Sequence, residues 1–287
     1  MLFAWYTFPD RWQPPTGHAV FRHFMKEQSK DMIKAIFLDI DGTLLSHKSH
    51  RIPPSAIEGL ALARQKGIKV VIATGRHAME LDVLDVPGLE YDGCIILNGQ
   101  VCMDENGEIF SERPITGPDL ENLISIYEGD QLPVVLIGKD GLHLNFADEN
   151  VSKVQAEIKT PLPGIRTWKG QEIYMASVYG PREKDTELAA HFAGLKLARW
   201  NPLAADLIPE DAGKVKGVEQ FLNRFGISRE EIMAFGDEEN DIDMIRFAKI
   251  GVVLGNGGEA AKKAADYVTE DIDRDGVFLA LKHFGII

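Results

Sequence analysis

The sequence predicts an α/β fold, in which a doubly wound, mostly parallel sheet carries an inserted α+β domain. Five short apolar runs end in polar or glycine-rich turns and are separated by helical segments, as expected of strands buried on both faces of a parallel sheet. Between residues 113 and 200 the pattern changes to pieces suited to an antiparallel sheet. A length of 287 residues accommodates both units.

The apolar runs of the core are predicted strands. Pro53-Pro54-Ser55 begins a helix after the first run, and Gly67 ends it, so the first two runs form a βαβ unit that we expect to be right-handed. Two runs lie after the inserted region and complete the sheet. The five runs are KAIFLD (34–39), IKVVIA (68–73), CIIL (94–97), IMAFG (232–236) and GVVL (251–254).

The inserted region combines strand-like and helix-like pieces. Lys139-Asp140-Gly141 between two of the strand-like pieces predicts a hairpin turn. The core is therefore assigned to 32–112 and 201–287, and the insert to 113–200. The strand-like pieces are 132–138, 141–147 and 171–180, and the helix-like pieces are 118–129, 149–158 and 183–192.

Residues 1–31 differ from the rest because they contain tryptophans and prolines without periodicity. They do not fit a signal peptide, because no basic residue precedes the apolar run MLFAWY, the run is too short, and no small-residue cleavage site follows it. We interpret them as a loosely attached N-terminal extension, or as residues upstream of the native start, and assign no chemistry to them.

Composition excludes several classes of partner. With 31 basic against 44 acidic residues the net charge is −13, so we expect no nucleic-acid partner. No apolar run approaches the roughly 18 residues of a membrane span, so we expect no membrane partner. Cys94 and Cys102 do not form a disulfide framework or a zinc motif, and we expect reduced thiols in a cytoplasmic protein.

Polar residues close each predicted strand. Because ligands bind outside the carboxyl ends of parallel strands, these residues are expected to meet at one edge. Several acids gathered there are costly unless they share a cation or a polar ligand. The strand ends are Asp39, Asp41, Gly42 and Thr43; Thr74, Gly75 and Arg76; Asn98 and Gly99; Asp237, Asn240 and Asp241; and Gly255, Asn256 and Gly257.

The residue types at this edge favour phosphate chemistry. Aspartate oxygens without sulfur or clustered imidazole favour a hard ion such as Mg²⁺, which usually acts together with phosphate oxygens. Glycines let backbone N–H groups approach an anion closely, Thr74 offers a hydroxyl, and Lys214 is the best-placed cation. The pattern predicts a metal-assisted phosphoryl-transfer site.

Four motifs carry a family resemblance. DIDGT at 39–43 resembles the first motif of the haloacid dehalogenase-like phosphatases. ATGR at 73–76, Lys214 before a helix, and GDEEND at 236–241 resemble the other three motifs, in the same order. The insert between the second and third motifs, with NGQ at 98–100, resembles the Cof-type subfamily, which implies a Rossmann-like core and an α+β cap over the active edge. The resemblance covers about residues 33–287.

The resemblance implies a set of roles. Asp39 is expected to be the nucleophile that forms an aspartyl-phosphate, and Asp41 the acid and then the base, with its backbone carbonyl also on the metal. A small phosphorylated metabolite is the implied substrate. The residues expected at the metal are Asp39, Asp41, Asp237 and Asp241, and of these Asp241 is expected to act behind the direct ligands. The residues expected to hold the phosphoryl group are Gly42, Thr74, Gly75, Asn240 and Lys214.

Lys214 and Lys216 compete for the role of the cation. Val215, Val218, Leu222 and Phe225 form a helical stripe that is expected to face the sheet. Lys214 lies four residues before Val218 on that side, whereas Lys216 aligns with the polar side. We therefore assign the role to Lys214.

Other interpretations stay open at this point. A phosphomutase would use the same nucleophile, and a silent binding protein could share the scaffold, although a binder does not need an acid two residues after a nucleophile. Arg76 is typical of a surface or structural ion pair, and Asn98 of a turn. Gly255–Ala260 matches a relaxed dinucleotide-binding fingerprint, but only 27 residues follow it, too few for the second half of such a site.

Overall fold

The computed structural model describes residues 32–157 and 160–287, so the predicted N-terminal extension lies outside the described residues. Residues 33–287 form one compact unit. The strands form two sheets, one of eight strands and one of six.

The strands and helices follow one another along the chain in the order β1, α1, β2 to β5, α2, β6, β7, α3, β8, β9, α4, β10, β11, α5, β12, α6, β13, α7, β14 and α8. The strands are β1 (Ala35–Leu38), β2 (Lys69–Ala73), β3 (Gly93–Ile96), β4 (Val101–Asp104), β5 (Ile109–Glu112), β6 (Val134–Gly138), β7 (Gly141–Leu144), β8 (Gly164–Ile165), β9 (Ile173–Tyr179), β10 (Leu195–Asn201), β11 (Ala204–Pro209), β12 (Ile232–Gly236), β13 (Ile250–Val253) and β14 (Tyr267–Val268). The α-helices are α1 (Pro54–Gln65), α2 (Gly117–Glu128), α3 (Glu149–Glu157), α4 (Asp185–Ala189), α5 (Lys214–Phe225), α6 (Ile242–Phe247), α7 (Glu259–Ala264) and α8 (Gly276–His283).

The eight-stranded sheet is the predicted doubly wound core. Its strand order is β14-β13-β12-β1-β2-β3-β4-β5. Strands β14 to β3 in this order run parallel, and β3, β4 and β5 pair antiparallel at one edge. Successive side chains of β1 point to opposite faces of the sheet. Ile36 packs with α1 and α8 on one face, whereas Phe37 packs with α5 and α6 on the other. Burial on both faces explains why the core strands are continuous apolar runs.

The second sheet is the predicted insert, which we call the cap. Its strand order is β10-β11-β9-β6-β7-β8. The strands pair antiparallel, except that β7 and β8 are parallel. The predicted hairpin at Lys139 and Asp140 is confirmed, because Gly138 pairs with Gly141. Helices α2 and α4 cover one face of this sheet around Leu123 and Leu188.

The cap extends further along the chain than the sequence indicated. The predicted boundary at residue 200 lies inside β10, and β11 pairs with both β10 and β9. A two-residue turn joins β10 to β11, so the chain returns to the core only after Pro209. Six strands were not predicted from the sequence: β4, β5, β8, β10, β11 and β14. Strands β8 and β14 have only two residues each, and the other four contain polar residues that interrupt or end their apolar pattern.

One cap helix is shorter than predicted. The predicted helix over 183–192 is shorter, with a 3₁₀ turn at Arg182–Lys184 followed by α4. Among the residues that the structure describes, no helix combines the length and the apolar character needed to cross a membrane.

Candidate active site

Three buried carboxylates meet at the carboxyl edge of the core sheet. Asp39 follows β1 and Asp237 follows β12, and these two strands are parallel neighbours. Asp241 lies one turn after Asp237 in a 3₁₀ helix at Glu239–Asp241. One oxygen of each carboxylate lies within 4.8 Å of the others, and the residues are 5%, 2% and 0% exposed. The sheet therefore brings together acids that are about 200 residues apart in sequence.

Lys214 is the cation of this cluster. It is the first residue of α5, is fully buried, and donates to Oδ1 of Asp39 and, at 2.6 Å, to Oδ1 of Asp241. Burial alone would lower the pKa of Lys214, but the charges of Asp241 and Asp39 outweigh it and the pKa is raised. The choice of Lys214 over Lys216 agrees with this geometry, because Lys216 instead pairs with Glu219 at 3.3 Å on the outer face.

The carboxylates outnumber the cation. Burial raises the pKa of Asp39 well above its usual value, although Lys214 opposes this shift. Burial also raises the pKa of Asp237 to about 7. Three acids sharing one ammonium carry an excess of negative charge in a place that water does not reach, and a divalent cation is the group that such a donor set fits.

Asp41 has a different environment. Its side chain is 39% exposed and does not join the three-carboxylate cluster. Arg76, in the loop after β2, donates from Nε to Oδ2 at 2.8 Å and from Nη2 to Oδ1 at 2.7 Å. The hydrogen bond to Asp41 raises the pKa of Arg76. The ion pair expected of Arg76 thus exists, but its partner is the predicted acid/base.

The loop after β1 packs against Asp237. Thr43 donates from Oγ1 to Oδ1 of Asp237 at 2.9 Å. Gly42 has a φ of +82°, and a Cβ atom there would lie 2.0 Å from Oδ2 of Asp237. Only glycine fits this approach. The Gly42 carbonyl accepts a hydrogen bond from Nδ2 of Asn256 at 2.8 Å. The Gly-Asn-Gly sequence that resembles part of a dinucleotide-binding fingerprint therefore supports the loop after β1.

Asp241 also orders its own loop. Its Oδ2 accepts from the backbone N–H groups of Asp237 and Glu238 at 2.9 and 3.1 Å, while its Oδ1 accepts from Lys214. Gly236 leaves room for the Asp241 side chain, because a Cβ atom there would lie 2.4 Å from Cβ of Asp241. Both oxygens of Asp241 therefore already have partners.

Thr74, Gly75 and Asn240 border the same edge. Thr74 is buried, and its Oγ1 accepts from the Arg76 N–H at 3.1 Å. A Cβ atom on Gly75 would lie 3.2 Å from the Asn98 amide, and Nδ2 of Asn240 lies 3.5 Å from Oδ1 of Asn98. Asn98 adopts a left-handed conformation with φ of 52°, so the turn interpretation of Asn98 agrees with the structure.

Three contacts at this site were not predicted from the sequence. They are the Arg76–Asp41 fork, the hydrogen bond from Thr43 to Asp237 and the support of Gly42 by Asn256. The positions of Thr43 and Asn256 in strand-end turns indicated that both lie at this edge of the sheet. The sequence did not indicate which residues they contact.

The cap touches the core beside this edge. Nε2 of His77 lies 2.8 Å from the Gly138 carbonyl at the tip of the β6–β7 hairpin. Lys139 in that hairpin pairs with Glu112 at the end of β5. The β6–β7 hairpin of the cap therefore contacts the core next to the loop that carries Arg76.

Residues 36–281 match the family model of the haloacid dehalogenase-like hydrolases. The chain belongs to this family, and the Cof-type assignment made from the four motifs is confirmed.

Similar proteins match this chain over most of its length. "Putative phosphatase YkrA" of Bacillus subtilis is 31% identical over 258 residues, which are 88% of this chain and 98% of YkrA. The solved structure of the phosphatase BT1666 from Bacteroides thetaiotaomicron has a TM-score of 0.83 and 34% identity, over 90% of this chain and 97% of that chain. The subclass IIB sugar phosphatase BT4131 has a TM-score of 0.76 and 36% identity, over 88% of this chain and 100% of that chain. The family and these relatives support the predicted enzyme class, a phosphatase.

Proposed function

We propose that this chain is a Mg²⁺-dependent phosphatase that hydrolyses small phosphorylated metabolites through a phosphoenzyme on Asp39. The observation that carries the proposal is the buried cluster of Asp39, Asp237 and Asp241 around Lys214. Such a cluster has little structural value, because buried charges cost more free energy than well-packed apolar residues would.

The donor set fits Mg²⁺. Asp39 and Asp237 would hold the ion with the Asp41 backbone carbonyl, and Asp241, whose oxygens already have partners, would support them. Bound there, the ion would neutralise part of the negative charge of the carboxylates and of the phosphate.

The first half-reaction transfers the phosphoryl group to the enzyme. A carboxylate oxygen of Asp39 attacks phosphorus, and the bond from phosphorus to the leaving alcohol oxygen breaks. Asp41 gives a proton to that oxygen, so the alcohol leaves neutral. Thr74 and Lys214 hold the non-bridging oxygens of the phosphoryl group while it moves.

The second half-reaction returns Asp39 to its starting state. Water attacks phosphorus, Asp41 accepts a proton from that water, and the bond between phosphorus and the Asp39 oxygen breaks. Inorganic phosphate leaves, and Asp41 is again protonated. Arg76 occupies both Asp41 oxygens in this structure, so Asp41 has to release at least one hydrogen bond before it can reach the leaving oxygen.

The cap and the cysteines support two further parts of the proposal. The cap, which reaches Pro209, would close over the site, exclude bulk water and restrict substrates to small molecules. Cys94 and Cys102 are buried and unpaired, which suits a reducing compartment, and we propose the cytoplasm.

A direct test compares the wild type with Asp39→Asn. With Mg²⁺ and 4-nitrophenyl phosphate, the wild type is expected to release phosphate, and Asp39→Asn to lose at least about 10⁴-fold in kcat, because it cannot form the phosphoenzyme. Asp130→Asn makes the same chemical change at an exposed cap position and serves as the control. Near-normal turnover by Asp39→Asn would rule out the covalent mechanism. An isomerised sugar phosphate instead of free phosphate would identify a mutase.

A further inference from the structure

A glycine-rich loop at residues 255–258 follows β13 at the carboxyl edge of the core sheet. It belongs to the segment that resembles part of a dinucleotide-binding fingerprint, and the proposed catalytic steps do not use it. The loop contacts both of the loops that carry the proposed metal ligands, the loop after β1 with Asp39 and Asp41 and the loop after β12 with Asp237.

The backbone of this loop packs closely on Asp237. The Gly258 N–H donates to the Asp237 carbonyl at 2.8 Å. A Cβ atom on Gly257 would lie 2.9 Å from the Asp237 carbonyl oxygen and 3.1 Å from the Asp237 Cα. Because glycine has no Cβ, the loop can rest directly on the backbone of a proposed metal ligand.

The side chain of Asn256 reaches the other loop. Its Nδ2 donates to the Gly42 carbonyl at 2.8 Å, and its Oδ1 accepts from the Ile272 N–H at 2.9 Å. The Gly255 N–H donates to the Glu270 carbonyl at 3.0 Å and ties the loop to the same segment before α8. A single planar amide therefore connects the loop after β1 to a part of the core that is anchored on its own.

Both backbone groups of Gly42 have partners. Its N–H donates to the Leu45 carbonyl at 3.0 Å, and its carbonyl accepts from Asn256. The Gly42 N–H shares a peptide plane with the Asp41 carbonyl, a proposed metal ligand, and the two groups of a trans peptide point in opposite directions. The two hydrogen bonds limit rotation on either side of Gly42 and so hold the Asp41 carbonyl in one orientation.

The same peptide continues towards Asp237. The Gly42 carbonyl belongs to the peptide that leads into Thr43, whose Oγ1 donates to Oδ1 of Asp237 at 2.9 Å. Asn256 therefore supports two proposed ligands, the Asp41 carbonyl and the Asp237 carboxylate, without being one itself. Asn256 is exposed, so its side chain adds little buried area to the fold.

We propose that Asn256 is a positioning residue that sets the affinity of this site for Mg²⁺ and its selectivity against Ca²⁺. Mg²⁺ requires near-ideal octahedral geometry with short distances to oxygen, whereas Ca²⁺ accepts longer and more varied ones. Ligands held in a fixed relation suit the smaller ion, and loosened ligands lose this preference. The inference rests on the proposed Mg²⁺-dependent function and adds a residue outside the ligand set that determines the choice of metal.

The first experiment measures metal binding without substrate. The thermal unfolding midpoint is titrated with MgCl₂ and, separately, with CaCl₂, and the concentration dependence gives the two dissociation constants. Asn256→Ala is expected to raise the Mg²⁺ constant about 10-fold, as for loss of other residues that orient metal ligands, and the Ca²⁺ constant much less. The midpoint without metal reports any effect on the fold separately.

Asn122→Ala is the matched control. Asn122 is an exposed cap residue whose Nδ2 donates to the His191 carbonyl at 2.7 Å, and its replacement should change neither constant. Unchanged constants in Asn256→Ala, or equal increases for both ions, would overturn the inference and leave the phosphatase function standing. If Mg²⁺ neither stabilises the wild type nor is needed for phosphate release, the metal is removed from the proposed function and the inference fails with it.

A second variant, Asn256→Asp, separates the two hydrogen bonds of the amide. Aspartate keeps an oxygen that can accept from the Ile272 N–H, but it offers no donor to the Gly42 carbonyl. Its added charge attracts both cations, so the ratio of the Ca²⁺ constant to the Mg²⁺ constant is the readout. We expect this ratio to fall by about as much as in Asn256→Ala. A wild-type ratio would show that the hydrogen bond to Gly42 does not set the selectivity and would contradict the proposal.

Discussion

Arg76 holds both carboxylate oxygens of Asp41, with Nε 2.8 Å from Oδ2 and Nη2 2.7 Å from Oδ1. Arg76 lies in the loop after β2 and Asp41 in the loop after β1, so this pair of hydrogen bonds, the Arg76–Asp41 fork, connects the two loops. Arg76 also donates to the Glu80 carbonyl. A planar guanidinium fixes a carboxylate in a way that an ammonium cannot. The fork therefore positions the proposed acid/base, and it must loosen when Asp41 turns to the substrate.

Arg76→Ala is expected to lower kcat about 100-fold on an alkyl phosphate and much less on 4-nitrophenyl phosphate. The reason is that a poor alcohol leaving group needs the proton from Asp41, whereas nitrophenolate leaves without it. Arg76→Lys should recover only part of the loss. Arg64→Lys, at a distant ion pair with Glu90, is the control. Steady-state rates on both esters check this, and equal losses would contradict a role through Asp41.

Lys214→Ala should abolish most activity and destabilise the fold by about 3–5 kcal/mol, because it leaves Asp39 and Asp241 buried without their cation. Lys216→Ala should change both quantities little, since the Lys216–Glu219 pair lies near the surface. Turnover and denaturant unfolding of the two variants are the measurements. A larger loss of activity in Lys216→Ala would reverse the assignment of the cation.

Mg²⁺ should raise the midpoint of thermal unfolding, because a ligand that binds only the folded state stabilises it. The expected gain is about 2.7 kcal/mol at a concentration 100 times the dissociation constant. Asp237→Asn should lose most of this gain, while Glu239→Gln, an exposed acid on the same loop, should keep it. Equal gains in Asp237→Asn and the wild type would show that the ion binds elsewhere.

Asp206 should make stability depend on pH. Its pKa rises from an ordinary value of 3.8 to about 6 on folding, so between these values the folded state keeps a proton that the unfolded chain has lost. Stability from this group is therefore complete below about pH 4 and is lost as pH rises through 6. Asp206→Asn should gain stability relative to the wild type between pH 4.5 and 7.5, as measured by unfolding midpoints. A constant difference across this range would show that Asp206 titrates normally.

Local sequence patterns determined much of the site. The apolar runs predicted β1, β2 and β12, and the rule that parallel strands end at one edge brought Asp39, Thr74 and Asp237 together. The stripe on α5 indicated that Lys214 points inward. These inferences succeed because burial on both faces leaves a strong periodic signal in a short stretch of chain.

The tertiary structure alone decided the partners. Arg76 was identified as an ion-pair residue, but nothing near it in sequence indicated Asp41, which is 35 residues away. Thr43 and Asp237 are 194 residues apart, and Asn256 reaches Gly42 over 214. Asp206 lies on β11, a strand that the sequence pattern did not indicate and that pairs with β10 and β9. Side-chain contacts of this kind depend on how distant elements pack against each other. Local periodicity indicates only which face of its own element a residue occupies, so it does not identify the partner.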